Sequence, residues 1–94
     1  MISVITPVYN GASYLRETID SILNAINQKD IEYIVINDGS TDETKEILAS
    51  YGTQINVYNQ ENSGESSAVN KGLELAKGDL VLIVSTDDPL PDDK

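Results

Sequence analysis

Three short polar stretches carry the residues of this chain that can do chemistry: Pro7-Val8-Tyr9-Asn10, Asn37-Asp38-Gly39-Ser40 and Ser85-Thr86-Asp87-Asp88. Each follows an apolar run rich in Val and Ile, the pattern of a strand buried on both faces of a parallel sheet. In open α/β sheets, ligands bind beyond the carboxyl ends of the strands. The Tyr9 ring can stack on a base there, and Asp38 can accept a hydrogen bond from a ring N–H. The adjacent Asp87 and Asp88 can hold Mg2+ or Mn2+, hard cations that take oxygen ligands and bind phosphates alongside one or two carboxylates. Together these parts fit a nucleoside diphosphate. Each part alone has a plainer reading. Asp38-Gly39 is ordinary turn chemistry, Tyr9 packs over the next helix, and Asp87-Asp88-Pro89 forms a solvated turn. The specificity lies in the joint pattern.

The elements that must position these residues alternate. Ile2 to Val8 reads as a first strand, followed by a Tyr9-Asn10-Gly11 turn. Leu15, Ile19, Ile22, Leu23 and Ile26 recur at helical spacing, which predicts a helix over 12–27 with Ser13 as its N-cap. A second strand is expected over Ile31 to Ile36. A second helix is expected over 42–51, capped by Thr41 or Ser40 and stopped at Gly52. Ile55 to Tyr58 predicts a third strand. The third helix is expected over 65–76, with Ala68, Val69, Leu73 and Ala76 inward, and a fourth strand over Leu80 to Val84. A β-α-β-α-β-α-β series implies right-handed crossovers and a parallel sheet. The expected class is therefore α/β, with a Rossmann-like sheet of about four strands in the order 3-2-1-4. That order joins the ends of strands one and four at a switch point.

Composition narrows the function. At 94 residues the chain is one domain at most. A net charge of −10, with six scattered Lys and Arg, leaves no basic footprint for nucleic acid. Any bound phosphate must be met by a divalent cation, by backbone N–H groups or by residues outside the chain. With no Cys and no His there is no thiolate chemistry, no Ser-His triad and little basis for a zinc site. Met1 leads directly into a strand, with no signal peptide, and no apolar run approaches the ~20 residues of a membrane span. A cytoplasmic location is expected, with any membrane association arising from regions outside this chain.

The ordered motifs resemble family 2 glycosyltransferases, which have the GT-A fold. They are Val4-Ile5-Thr6-Pro7-Val8-Tyr9-Asn10, Asn37 to Asp42, Asn62-Ser63-Gly64 through Ala68 and Asn70 to Gly72, Ala76-Lys77-Gly78-Asp79, and Asp87-Asp88. The resemblance covers nearly the whole chain. It implies an NDP-sugar donor, UDP-linked in the usual case, a divalent cation (Mn2+ or Mg2+), and inverting transfer to an acceptor hydroxyl. It further implies that Pro7, Val8, Tyr9 and Asn10 line the donor pocket and that Asp38 pairs with the base. Gly64 and Asn70 bracket a segment near base and diphosphate, Asp87 lies near ribose or metal, and Asp88 is the metal ligand. Two positions depart from the family pattern. Ser85 replaces the first Asp of the Asp-x-Asp-Asp motif, and Val69 stands where many members have Arg.

The general base of the family follows the metal motif, so it is expected beyond Lys94, and no catalytic residue is assigned within the chain. Residues 1–94 are thus expected to be the N-terminal donor-binding part of a glycosyltransferase domain, inactive by itself. Loss of the acceptor half would expose a sheet edge. A non-catalytic nucleotide-binding module is the alternative. A phosphoacceptor receiver would need an acidic pair after the first strand, where Tyr9-Asn10 stand. A nucleotidyltransferase would need a Gly-rich basic loop there.

Overall fold

The computed structural model describes residues 1–25 and 31–84. Four strands, β1 (Ile2–Val8), β2 (Ile31–Asp38), β3 (Asn56–Gln60) and β4 (Leu80–Ile83), form one sheet in the order β3-β2-β1-β4. Every pairing is parallel. Three helices connect the strands: α1 (Leu15–Ala25), α2 (Thr44–Ala49) and α3 (Glu65–Leu75). A 3-10 turn at Gly52–Gln54 precedes β3. The class and strand order are those expected from the alternating pattern.

β1 and β2 are central and buried on both faces, so their alternating side chains feed two cores. Val4, Val8, Tyr33 and Val35 meet Leu15 and Ile19 of α1 and Ile47 and Leu48 of α2 on one face. Ile5, Ile34 and Ile36 meet Ala68 of α3 on the other. Gly72 sets the closeness of that second contact, because a Cβ there would collide with Ile5 Cγ2. Small residues at 68 and 72 let α3 lie directly on β1 and β2.

Several local expectations need correction. α1 begins at Leu15, after a turn in which the Gly11 carbonyl accepts from the N–H of both Tyr14 and Leu15. Backbone thus closes the turn assigned to the Ser13 side chain. Its expected end at residue 27 lies outside the described residues. α2 is capped by neither Ser40 nor Thr41. Asp42 Oδ1 accepts from the Thr44 N–H at 2.9 Å, while Ser40 and Thr41 bond across to the loop after β1. Leu73 points outward, 46% exposed, because Ala68, Gly72 and Leu75 already fill the sheet-facing stripe.

β4 is not buried on both faces. Leu80, Leu82 and Ile83 are 54%, 46% and 46% exposed, since β4 is the edge strand of the described sheet, paired only to β1. No helix among the described residues is long and apolar enough to cross a membrane.

Candidate functional site

Parallel pairing brings the carboxyl ends of β1 and β2 side by side, with Val8 opposite Asn37. The two loops that leave these ends are laced together. Asn10, in a left-handed conformation at φ 52°, donates its N–H to Ser40 Oγ at 2.9 Å. Its Oδ1 accepts from the Thr41 N–H at 2.7 Å and the Asp42 N–H at 3.3 Å. In return, Asp42 Oδ2 accepts from the Ala12 N–H at 3.2 Å and Thr44 Oγ1 accepts from the Gly11 N–H at 3.1 Å. Partial burial pushes the Asp42 carboxyl up, but hydrogen bonds from Thr44 and Ala12 outweigh it and leave the group below the usual carboxylate range. Asn10 is therefore a joint between loops, and its side-chain oxygen is committed to protein donors.

Asp38 ends β2 and is 3% exposed. Its Oδ1 accepts from Gln60 Nε2 at 2.9 Å and the Ser63 N–H at 2.8 Å. Its Oδ2 accepts from Asn62 Nδ2 at 3.3 Å and the Gly64 N–H at 2.9 Å. Asn62 Nδ2 also reaches the Asp38 carbonyl at 3.0 Å. One carboxylate thus organises the whole β3–α3 turn and points the first turn of α3 at the sheet edge. The loops meet so closely that Gly39, at φ +74°, admits no side chain: a Cβ would lie 2.5 Å from the Asn62 nitrogen. Asn37 completes the seam, donating to Asn59 Oδ1 at 3.0 Å and accepting from the Ser40 N–H at 3.2 Å.

Pro7, Val8, Tyr9, Asp38, Asn62, Gly64, Glu65 and Ala68 enclose a cavity of about 250 Å³. Tyr9 lines it and is 49% exposed, so its side chain is accessible to a ligand. The size suits a nucleobase rather than a complete nucleotide sugar. No Lys or Arg lines it, so nothing in this wall counters a phosphate except N–H groups at the start of α3.

Of the residues singled out in the sequence, Pro7, Val8, Tyr9, Asp38 and Gly64 come together here. Asn10 stands next to the cavity but acts through the loop joint. Asn70 is placed elsewhere, exposed on α3 in a groove shared with Gln60, Ser67, Lys71 and Glu74. Asp87 and Asp88 lie outside the described residues, and among the described residues no group of three metal-ligating side chains occurs. Asn62, Glu65 and Gln60 were not singled out for the site. Gln60 is signalled only by register, since it pairs with Asp38 across β2 and β3. Asn62 stands in the Asn62-Ser63-Gly64 motif, but its contact to Asp38, 24 residues earlier, has no local signal.

The sequence model of glycosyl transferase family 2 matches residues 3–94. The chain belongs to that family. An uncharacterized glycosyltransferase of Rickettsia typhi is 50% identical over 88 residues, covering 94% of this chain and 27% of that protein. Among solved family-like folds, S. aureus TarS in complex with UDP-GlcNAc superposes with a TM-score of 0.81 at 33% identity, over 92% of this chain and 26% of that one. Glucosyl-3-phosphoglycerate synthase from Mycobacterium tuberculosis, in complex with Mn2+, UDP and glucosyl-3-phosphoglycerate, superposes with a TM-score of 0.79 at 28% identity, over 93% of this chain and 33% of that one. The chain spans about a quarter to a third of the length of these proteins. Its four-stranded parallel sheet with flanking helices has the GT-A fold of these glycosyltransferases.

Proposed function

We propose that this chain is the donor-binding part of a longer glycosyltransferase that takes an NDP-sugar, with uridine as the nucleoside, and transfers the sugar with inversion to an acceptor hydroxyl. The observation that carries this reading is the juxtaposition of Tyr9 and the Asp38 carboxylate across one cavity at the carboxyl edge of a parallel sheet. A base stacked on Tyr9 would present its ring edge toward Asp38. The N-terminal N–H groups of α3 would lie on the side where the diphosphate leaves the base. The UDP-GlcNAc complex of TarS and the Mn2+ and UDP complex of the mycobacterial synthase support a uridine donor and a divalent cation.

The chain's own chemistry fits such a cation. Asp87 and Asp88 form an oxygen-only donor pair of the kind Mn2+ and Mg2+ accept, and they follow β4, which runs parallel to β1. Asp88 is assigned as ligand, with Asp87 beside it. When bound, the cation would neutralise the diphosphate leaving group. What the described residues do is bind and orient: Tyr9 holds the base plane, Asp38 shapes its edge, and the Asn10 joint fixes both loops. Deprotonation of the acceptor is left to a carboxylate beyond Lys94.

Isothermal titration of UDP into the chain, with and without Mn2+, tests the reading. Binding strengthened by Mn2+, lost in Asp38→Ala and made metal-independent in Asp88→Ala is the expected outcome. UDP, GDP and CDP all failing to bind a folded chain would defeat it.

A further inference from the structure

A carboxylate offers about four lone-pair positions. On Asp38 all four are taken by protein donors: Gln60 Nε2, Asn62 Nδ2 and the N–H groups of Ser63 and Gly64. A ring N–H arriving from a base therefore finds no vacant acceptor position and must replace one donor. The four are not equally replaceable. The two N–H groups belong to the turn that starts α3, and releasing either dismantles that turn. Gln60 holds Oδ1 at 2.9 Å from within β3. Asn62 holds Oδ2 at 3.3 Å, the longest of the four. Its side chain borders the cavity, and it keeps a second acceptor in the Asp38 carbonyl at 3.0 Å. The Asn62 amide can therefore leave Oδ2 without losing every partner.

Resting on the nucleotide-binding reading above, we infer that Asn62 is a resident donor that a base carrying a ring N–H must displace, and that it thereby tempers the affinity for such a base. Its side-chain amide occupies the Oδ2 position that a base N–H takes over on binding. The exchange is one hydrogen bond for another, so it costs little for a base that carries a ring N–H. Uracil and guanine carry one. Cytosine has a bare N3 at the corresponding position, and displacing Asn62 for it would leave Asp38 Oδ2 short of a donor. Asn62 thus lowers the affinity for a base with a ring N–H by the bond it gives up, while a base without one leaves it in place.

The test is titration of UDP and CDP into the full chain, its Asn62→Ala variant and its Asn62→Ser variant, whose side chain is too short to span to Oδ2. Removing the resident donor should tighten UDP by about three- to tenfold, the equivalent of one net hydrogen bond, and leave CDP unchanged. In the unmutated chain, the Asn62 side-chain amide should shift in 1H–15N spectra with UDP and stay still with CDP. Equal weakening of both nucleotides in both variants would overturn the inference and make Asn62 a simple clamp of the turn. So would UDP binding with no movement of the Asn62 amide. Failure of the unmutated chain to bind any nucleotide is a different result, which removes the nucleotide reading itself and the inference with it.

Discussion

β2 carries one carboxylate near each end, and the two do related work with different consequences. At its carboxyl end, Asp38 receives Gln60, Asn62, Ser63 and Gly64 and fixes the chain entering α3. At its amino end, Glu32 receives the Ser3 hydroxyl at 2.6 Å and the Lys77 N–H, while Gly78 N–H donates to Ser3 Oγ at 2.8 Å. That second node fixes the chain leaving α3. α3 is thus tied at both ends to one strand. Each end has a cavity with a tyrosine in its wall, about 250 Å³ with Tyr9 at the Asp38 end and about 240 Å³ with Tyr58 at the Glu32 end, but the first lies beside N–H groups at a helix N-terminus. The Glu32 end faces the carbonyl end of the same helix, where an anion is unwelcome. Similar side-chain chemistry becomes a candidate site at one edge and a structural tie at the other.

The strongest way to break this comparison is Asp38→Ala. It strands the Ser63 and Gly64 N–H groups along with two amides, which should cost about 3 kcal/mol in urea unfolding and abolish UDP binding. Gly72→Ala attacks the middle of the span, where the new Cβ meets Ile5. It should cost about 2 kcal/mol by overpacking, with UDP affinity falling far less than in Asp38→Ala.

Asn10→Ala removes an acceptor shared by Thr41 and Asp42 and should cost about 1–2 kcal/mol. Asn10→Asp, which keeps the accepting oxygen, should recover most of the UDP affinity lost in Asn10→Ala. If instead it binds as weakly as Asn10→Ala, the Asn10 amide is itself a ligand contact and the joint is secondary.

The smallest effect is expected from Glu32→Gln. Partial burial pushes the Glu32 carboxyl up, yet bonds from Ser3 and the Lys77 backbone, with the Lys77 charge, bring it below its ordinary 4.5. A lowered folded value gives stability that is present above pH 4.5 and lost as pH falls through the folded value. Between pH 7 and pH 3 the variant should lose less stability than the parent, with UDP binding at neutral pH untouched.

The comparison also shows what the amino-acid order could disclose. β1, β2 and the strand order follow from β-branched runs and alternation, signals that are local. The inward face of α3 was half legible: Ala68 is inward as expected, but Leu73 is displaced to the surface because Gly72, with no side chain, takes the closest approach. β4 read as doubly buried because its composition is that of an interior strand, while among the described residues it pairs on one side only, with β1. In the site, Tyr9 and Asp38 were visible as residue types in the right loops. The Asn62 contact and the Asn10 joint span 24 and 31 residues and depend on register and loop geometry that no local pattern encodes.

The double anchoring of α3 has a consequence for chain length. Glu32 and Asp38 are separated by about 20 Å of extended strand, and the eleven residues of α3 run about 16 Å beside them. An insertion of one residue inside Glu65–Leu75 would turn everything after it by about 100°, so the two ends could no longer be met at once. Insertions and deletions should therefore be refused within this helix. They should be accepted better in the exposed turn Gly52–Gln54, which lies outside both ties. The number of residues between the two ties is as much a part of the site as the residues that line it.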